Sequence, residues 1–104
     1  MLTKQEILNK LKQLRPIFEK DGIVILGLFG SYAFLKESKD SDIDILIETK
    51  PEFLQKYQGF SGFSKLEEVK EILKKEFKKE IDLVDKQGLL QHKNDYILKK
   101  AIYV

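Results

Sequence analysis

Apolar residues recur with a helical period at the start of the chain. Thr3 and Glu6 have the spacing of a capping box. The stripe that follows consists of Ile7, Leu8, Leu11, Leu14 and Phe18. Pro16 falls inside the stripe and predicts a kink or a fresh helical turn, and Gly22 is expected to end the helix. The pattern therefore predicts an amphipathic N-terminal helix.

Three further apolar segments are typical of strands. Residues 23–29 form a nearly continuous apolar run, which predicts a central strand covered on both faces. A second strand is predicted from Asp42 to about Thr49, and a third over residues 80–84. A short helix is expected between the first two strands, over about residues 32–36. The short first connection allows antiparallel pairing, whereas the long, helix-containing second connection allows a parallel crossover.

The remaining segments complete an alternating pattern. Residues 51–64 are predicted to be irregular, with a mobile aromatic loop over residues 57–63, and a second capping box, Ser64 with Glu67, is expected to start the next helix. A final helix is predicted over about residues 89–99, followed by a short strand. This order predicts an α/β fold in a single small domain, 1–104, with a mixed sheet of three or four strands flanked by helices.

Composition narrows the class of protein. Apolar residues make up 42% and charged residues 35% of the chain, as in globular proteins. The absence of a long apolar run and of a signal-peptide core predicts a cytoplasmic protein without membrane contact. With no cysteine, disulfides and thiolate metal sites are excluded. The 19 basic and 17 acidic residues nearly balance, so no direct nucleic-acid partner is expected, although a local basic patch stays open.

Aspartates at the predicted strand edge suggest a metal site. Asp42 and Asp44 lie two positions apart and therefore share one face of the second strand, while the intervening isoleucines point to the core. Parallel pairing would bring Asp82 of the third strand to the same edge. Three carboxylates without a neighbouring Cys or His favour a hard cation, Mg²⁺ or Mn²⁺.

A phosphate site is predicted beside these aspartates. Gly30 lets the backbone approach a phosphate closely, and Ser31 can cap a following helix whose N-terminal N–H groups bind anions. Taken singly, Ser31 could be only an N-cap and the aspartates only turn residues. Together they indicate a metal–nucleotide site.

The same residues resemble a family signature. Gly30-Ser31, ten intervening residues and Asp42-x-Asp44 are similar to the signature of the minimal nucleotidyltransferases, within the DNA polymerase β-like superfamily. Residues 81–84, around Asp82, also fall where that family has them. The resemblance implies that Gly30 and Ser31 bind the nucleotide phosphates, and that Asp42 and Asp44 bind two Mg²⁺ ions. It implies that Asp82 binds the catalytic ion and helps to activate the attacking hydroxyl.

The resemblance also implies a reaction and a partner. At 104 residues the chain has no room for an acceptor-binding domain, so the acceptor is expected on another chain. Small members of the family resemble antitoxins that transfer AMP from ATP to a tyrosine of a HEPN-domain ribonuclease toxin encoded nearby. The expected function is therefore an Mg²⁺-dependent protein adenylyltransferase in a hetero-oligomer. The alternatives are a binding module that neutralises the toxin by contact alone and a small-molecule nucleotidyltransferase.

A few residues depart from this pattern or lie outside it. Phe34 stands where family members often have arginine, so Lys36 or Lys39 would have to contact the phosphates. His92 and Glu48 are interpreted as structural or solvent-facing. The aromatic residues Tyr57, Phe60 and Phe63 could stack on a base, pack on the core or form a partner surface.

Overall fold

The computed structural model describes residues 3–30, 33, 42–91 and 95–104, and these residues contain four strands and five helices. The helices are α1 (Lys4–Glu19), α2 (Pro51–Lys56), α3 (Phe60–Phe77), α4 (Lys86–Gln91) and α5 (Asp95–Lys100). The strands are β1 (Ile23–Phe29), β2 (Ile43–Thr49), β3 (Ile81–Asp85) and β4 (Ile102–Tyr103). The predicted α/β class is confirmed.

Helix α1 begins with the predicted capping box. The Thr3 hydroxyl accepts from the Glu6 backbone N–H at 3.1 Å, and the Glu6 carboxylate accepts from the Thr3 N–H at 3.4 Å. The helix continues through Pro16 as a single element, so no separate helical turn starts there. Gly22 follows the helix with φ +81°, and its carbonyl accepts from the Lys50 N–H at 2.8 Å. This residue therefore turns the chain into β1 and fixes the far end of the β1–β2 pair.

The sheet has the order β3-β2-β1-β4. As predicted, β1 and β2 are antiparallel and β2 and β3 are parallel. Strand β4 pairs antiparallel with β1 next to Gly27, where a Cβ atom would lie 2.3 Å from the Ile102 carbonyl oxygen. Strand β3 is the outermost strand on the other side of this sheet.

The two faces of the sheet differ in their cover. Helices α1 and α3 pack on one face and enclose the main core. From the sheet, this core receives Ile23, Ile25, Leu28, Ile43, Ile45, Ile47 and Ile81. On the other face, α4 lies against β2 and β3, where Leu46 and Leu89 are buried. Asp44 and Asp82 have the strand parity of this second face.

Residues 51–56 and 60–64 are helical, so the prediction that residues 51–64 are irregular is wrong. Pro51 occupies the first turn of α2, where proline is favoured, and the buried Phe53 anchors this short helix. Gly59 has φ +61° and starts α3 at Phe60, ahead of the predicted capping box. Gly62 fits inside α3 because a Cβ atom there would lie 2.9 Å from the Tyr57 carbonyl oxygen. Gly59 thus supplies the positive φ at the start of α3, and Gly62 permits a close approach to the Tyr57 carbonyl.

The predicted helix over about residues 89–99 overlaps α4 and α5, and residues 92–94 between them lie outside the described residues. Helix α4 begins at Lys86 because the Asp85 carboxylate accepts from the Gln87 N–H at 3.0 Å. The final strand is confirmed as β4, and the Val104 N–H donates to the Leu26 carbonyl at 2.9 Å. Across the described residues, no helix combines the length and apolarity needed to span a membrane.

Candidate active site

The candidate residues lie in one line across three strands. Phe29, the last residue of β1, is opposite Asp44 on β2, and Asp44 is opposite Asp82 on β3. Gly30 follows Phe29 directly. The end of β1 therefore meets the beginnings of β2 and β3 at one sheet edge, as the predicted pairing requires.

Gly30 and Asp44 are in close contact. Gly30 has φ +74°, a conformation that residues with a side chain rarely adopt. A Cβ atom built on Gly30 would lie 2.0 Å from the Oδ2 atom of Asp44, which is shorter than any van der Waals contact. Any other residue would displace this carboxylate. The backbone that could meet a phosphate is therefore also the surface on which Asp44 rests.

The electrostatic environment of Asp44 is unfavourable for a carboxylate. Asp44 is half-buried, whereas Asp42 and Asp82 are exposed. Burial first, and then repulsion from Asp82 and Asp42, raises the pKa of Asp44 to about 6. At neutral pH the group is mostly ionised, at a cost in folding free energy. A cation bound next to it would remove that cost.

The structure brings the aspartates to one face but does not assemble a finished ligand set. Among the described residues, no group of three or more His, Cys, Asp or Glu side chains is arranged to hold a metal ion. Asp42, Asp44 and Asp82 share a face of the sheet, and the charges of Asp42 and Asp82 repel that of Asp44. Carboxylate oxygens are the donors that Mg²⁺ and Mn²⁺ prefer. In donor chemistry these residues fit a hard cation.

Several residues singled out in the sequence lie outside the described residues. Ser31 is one of them, and Phe34, Lys36, Lys39 and His92 are the others. Their assigned roles stay predictions. Glu48, four residues beyond Asp44 and near the other end of β2, forms an ion pair with Lys86 at 3.6 Å, which agrees with its structural interpretation.

A groove beside Asp82 was not found from the sequence. It lies between α3 and β3, has a volume of about 150 Å³, and is lined by Ile47, Phe63, Leu66, Glu67, Lys70, Asp82, Leu83 and Asp85. Phe60, Phe63, Glu67 and Lys70 have the three- and four-residue spacing of a single helix face. This spacing could have revealed a second stripe on α3, but the expected loop obscured it.

Comparison with known proteins places the chain in a family. The model of the polymerase β nucleotidyltransferase family matches residues 12–104. The protein adenylyltransferase MntA of Thermococcus cleftensis is 32% identical over 108 aligned residues, which cover 100% of this chain and 98% of that protein. A Methanocaldococcus jannaschii protein, MJ1379, to which protein adenylyltransferase activity is provisionally ascribed, is 33% identical over 98 residues, covering 94% of this chain and 86% of that protein.

A solved structure has the same fold. It is described as a provisionally assigned minimal nucleotidyltransferase, and it superposes with a TM-score of 0.73 at 20% identity, covering 99% of this chain and 97% of that chain. The family signature of Gly30, Ser31, Asp42 and Asp44, the sheet order and these similarities agree. The chain is therefore a member of the polymerase β-like nucleotidyltransferases, in their minimal nucleotidyltransferase family.

Proposed function

We propose that this chain is an Mg²⁺-dependent protein adenylyltransferase that transfers AMP from ATP to a tyrosine of a HEPN-domain ribonuclease toxin and so acts as an antitoxin. The observation that carries the enzymatic part is the line Gly30–Asp44–Asp82 across three strands. Two relatives of similar length are named as protein adenylyltransferases, one of them provisionally, which supports a protein as acceptor.

The three aspartates would hold the metal ions. Asp44 is fixed against Gly30, while Asp42 and Asp82 are exposed and can turn toward a cation without disturbing the core. When bound, the ions would neutralise the phosphate charge and lower the pKa of the attacking hydroxyl. The raised pKa of Asp44 supports this assignment, because such a carboxylate gains more from a nearby positive charge than an exposed one.

The reaction would be a nucleotidyl transfer. Gly30, having no side chain, leaves its backbone open to the phosphates, and Ser31 is proposed to help hold them. The tyrosine oxygen attacks the α-phosphorus of ATP and forms a new P–O bond. The bond from that phosphorus to the bridging oxygen breaks and pyrophosphate leaves. Asp82 accepts the hydroxyl proton in this scheme, since an exposed carboxylate can return it to water.

A tyrosine acceptor suits an antitoxin. Its hydroxyl has a reference pKa of about 10, so it is unreactive until a cation and a carboxylate favour its ionised form. The product carries a bulky anionic phosphodiester. On a ribonuclease this group would repel the anionic RNA substrate, by the same rule that governs other charge-adding modifications.

The test uses the purified HEPN-domain toxin encoded nearby, with labelled ATP and Mg²⁺. The proposal predicts label on a toxin tyrosine, located by mass spectrometry, and release of pyrophosphate. Label should disappear with Asp42→Asn/Asp44→Asn and persist with Glu48→Gln, a carboxylate on the same strand that is paired with Lys86. Transfer that survives the double substitution would contradict the site.

A binding module is the second candidate. The exposed Phe60 and Phe63 side chains could bind a toxin without any chemistry. In that case the Asp42→Asn/Asp44→Asn protein would still neutralise the toxin, and neither the parent nor this variant would transfer label to it.

A further inference from the structure

An exposed aromatic surface lies at the start of α3. Phe60 is 89% exposed and Phe63 is 65% exposed. Together with Gly59 they border a shallow cavity of about 400 Å³ that is largely open to solvent. Two neighbouring phenyl rings left in water cost free energy, and such patches usually mark a surface that another molecule covers.

Phe63 connects this surface to the α3–β3 groove, which was defined above by its lining residues. Asp82, the residue proposed to receive the acceptor proton, also borders the groove along β3, with its side chain on the opposite face of the strand from Leu83. Its volume of about 150 Å³ equals that of a protein cavity able to hold benzene, so it can take one aromatic or leucine-sized side chain. A side chain seated there would place the adjoining residues of its own chain next to Asp82.

Strand β3 offers a backbone partner at the same place. In the described sheet β3 is the outermost strand on this side, and only β2 pairs with it. An extended peptide can add to such an edge through main-chain hydrogen bonds, with alternate side chains entering pockets. Leu83 of β3 lines the groove, so pairing along β3 would run beside the pocket.

The charges around the groove select the kind of peptide. Among the residues that border the groove, Glu67, Asp82 and Asp85 are acidic and Lys70 is basic. This excess of negative charge repels a nucleic-acid backbone and favours lysine or arginine next to the inserted side chain. Base stacking on Phe60 and Phe63 is therefore disfavoured.

We propose that the α3–β3 groove and the Phe60/Phe63 surface bind the acceptor protein through an extended segment that has one apolar side chain flanked by basic residues. The apolar side chain fills the groove, the backbone follows the β3 edge, and the acceptor hydroxyl is thereby held near Asp82. This inference rests on the proposed function, because the HEPN-domain toxin is taken as the protein that supplies the segment. A toxin that binds RNA is expected to have basic surface segments of this kind.

The first experiment removes the apolar contact. Phe63→Ser and Phe60→Ser are compared with Ile17→Ser, an apolar residue on α1 that is 56% exposed and lines neither cavity. Calorimetry gives the Kd for the purified toxin, and labelled-ATP assays give KM for the toxin separately from kcat. We expect Kd and KM to rise about tenfold or more for each phenylalanine variant, as for truncated interface anchors, and to stay unchanged for Ile17→Ser.

The second experiment tests the charge. Glu67→Lys should weaken toxin binding and reduce its dependence on salt, whereas Glu52→Lys, on the exposed side of α2, should do neither. Thermal unfolding of every variant confirms folding, and the gain in Tm from Mg²⁺–ATP reports the nucleotide site separately. Because Phe60 is almost fully exposed, Phe60→Ser remains usable even if Phe63→Ser lowers Tm.

Each combination of results decides between the two proposals. If the toxin is labelled but its Kd and KM are the same in all variants, the docking surface is wrong and the proposed function stands. If the toxin binds, its binding is weakened by the phenylalanine substitutions, and it is never labelled, the docking surface stands and the proposed function fails. If the parent protein neither binds nor labels the toxin, both are overturned. Competition for the groove by RNA oligonucleotides instead of toxin would also overturn the docking proposal.

Discussion

Asp21 and Asp44 lie at opposite ends of the β1–β2 pair and have opposite environments. The Asp21 carboxylate is 3.3 Å from the Lys65 ammonium and 3.4 Å from that of Lys56, and it accepts from the Tyr57 hydroxyl at 3.3 Å. The hydrogen bond from Lys65 is the largest of the effects that lower the pKa of Asp21.

Among the described residues, Asp44 has no such neutralising partner. Its resolved electrostatic neighbours are Asp82 and Asp42, and with burial they raise its pKa to about 6. The fold thus stabilises the ionised form of Asp21 and destabilises the ionised form of Asp44. We interpret the first as an attachment of α2 and α3 to the body of the domain and the second as a site prepared for a cation.

The largest expected effect is on transfer activity. Asp44→Asn should lower kcat/KM for labelled AMP transfer by about 100-fold or more, because an amide neither neutralises a divalent cation nor places it against Gly30. Asp21→Asn should leave kcat/KM within about twofold once the assay is run below its Tm. Equal losses in the two variants would mean that the two ends of the pair do not differ in function.

Gly30→Ala tests the contact between the glycine and Asp44. The new Cβ would meet Oδ2 of Asp44 at 2.0 Å and would sit at φ +74°, so we expect a loss of about 1–3 kcal/mol in the free energy of unfolding and a weaker gain in Tm from Mg²⁺–ATP. Gly59→Ala is the matched control, since Gly59 has φ +61° but no atom within 4 Å of its Cβ position. If both variants respond equally to Mg²⁺–ATP, the contact with Asp44 has no role in nucleotide binding.

Acid should weaken the Asp21 end. Because the pKa of Asp21 is lowered on folding, its contribution to stability is present above the unfolded value near 3.8 and is lost as pH falls through the folded pKa. Asp21→Asn should therefore lower Tm modestly at pH 7, since exposed ion pairs contribute little, and the difference from the parent should close in strong acid. A difference that is independent of pH would assign the effect to packing instead.

The sequence predicts the strands better than the middle of the chain. Residues 23–29, 43–49 and 81–85 are short apolar runs whose connections leave few pairings, and these pairings bring Asp44 beside Asp82. The loop predicted over residues 57–63 is wrong because the sequence does not distinguish a loop glycine from one that starts a helix, as Gly59 does, or permits close packing, as Gly62 does. The contact between Gly62 and the Tyr57 carbonyl depends on how α2 and α3 are placed, which the spacing of the two residues does not show.

The sequence predicts equivalent positions for Asp42 and Asp44, but the structure gives them different environments. Asp42 precedes β2 and is exposed, whereas Asp44 lies within β2 and is half-buried against Gly30. Burial and the register with β3 decide this difference, and neither is contained in the spacing of the two residues. The same holds for the α3–β3 groove, which includes Phe63 because α3 starts at Phe60.

Thermal unfolding of the parent and Asp44→Asn at pH 7, each with chelator and with Mg²⁺–ATP, tests the central claim most directly. The raised pKa of Asp44 means that stability falls as pH rises from about 4 to about 6. Asn at this position should therefore raise Tm by a few degrees in chelator, after allowance for solvent screening, since about 1 kcal/mol shifts Tm by about 4–8 °C in a domain of this size. At saturating Mg²⁺–ATP the order should reverse, because only the parent gains the binding free energy, about 2.7 kcal/mol at 100 times Kd. An Asp44→Asn protein that gains as much from Mg²⁺–ATP as the parent would contradict the account.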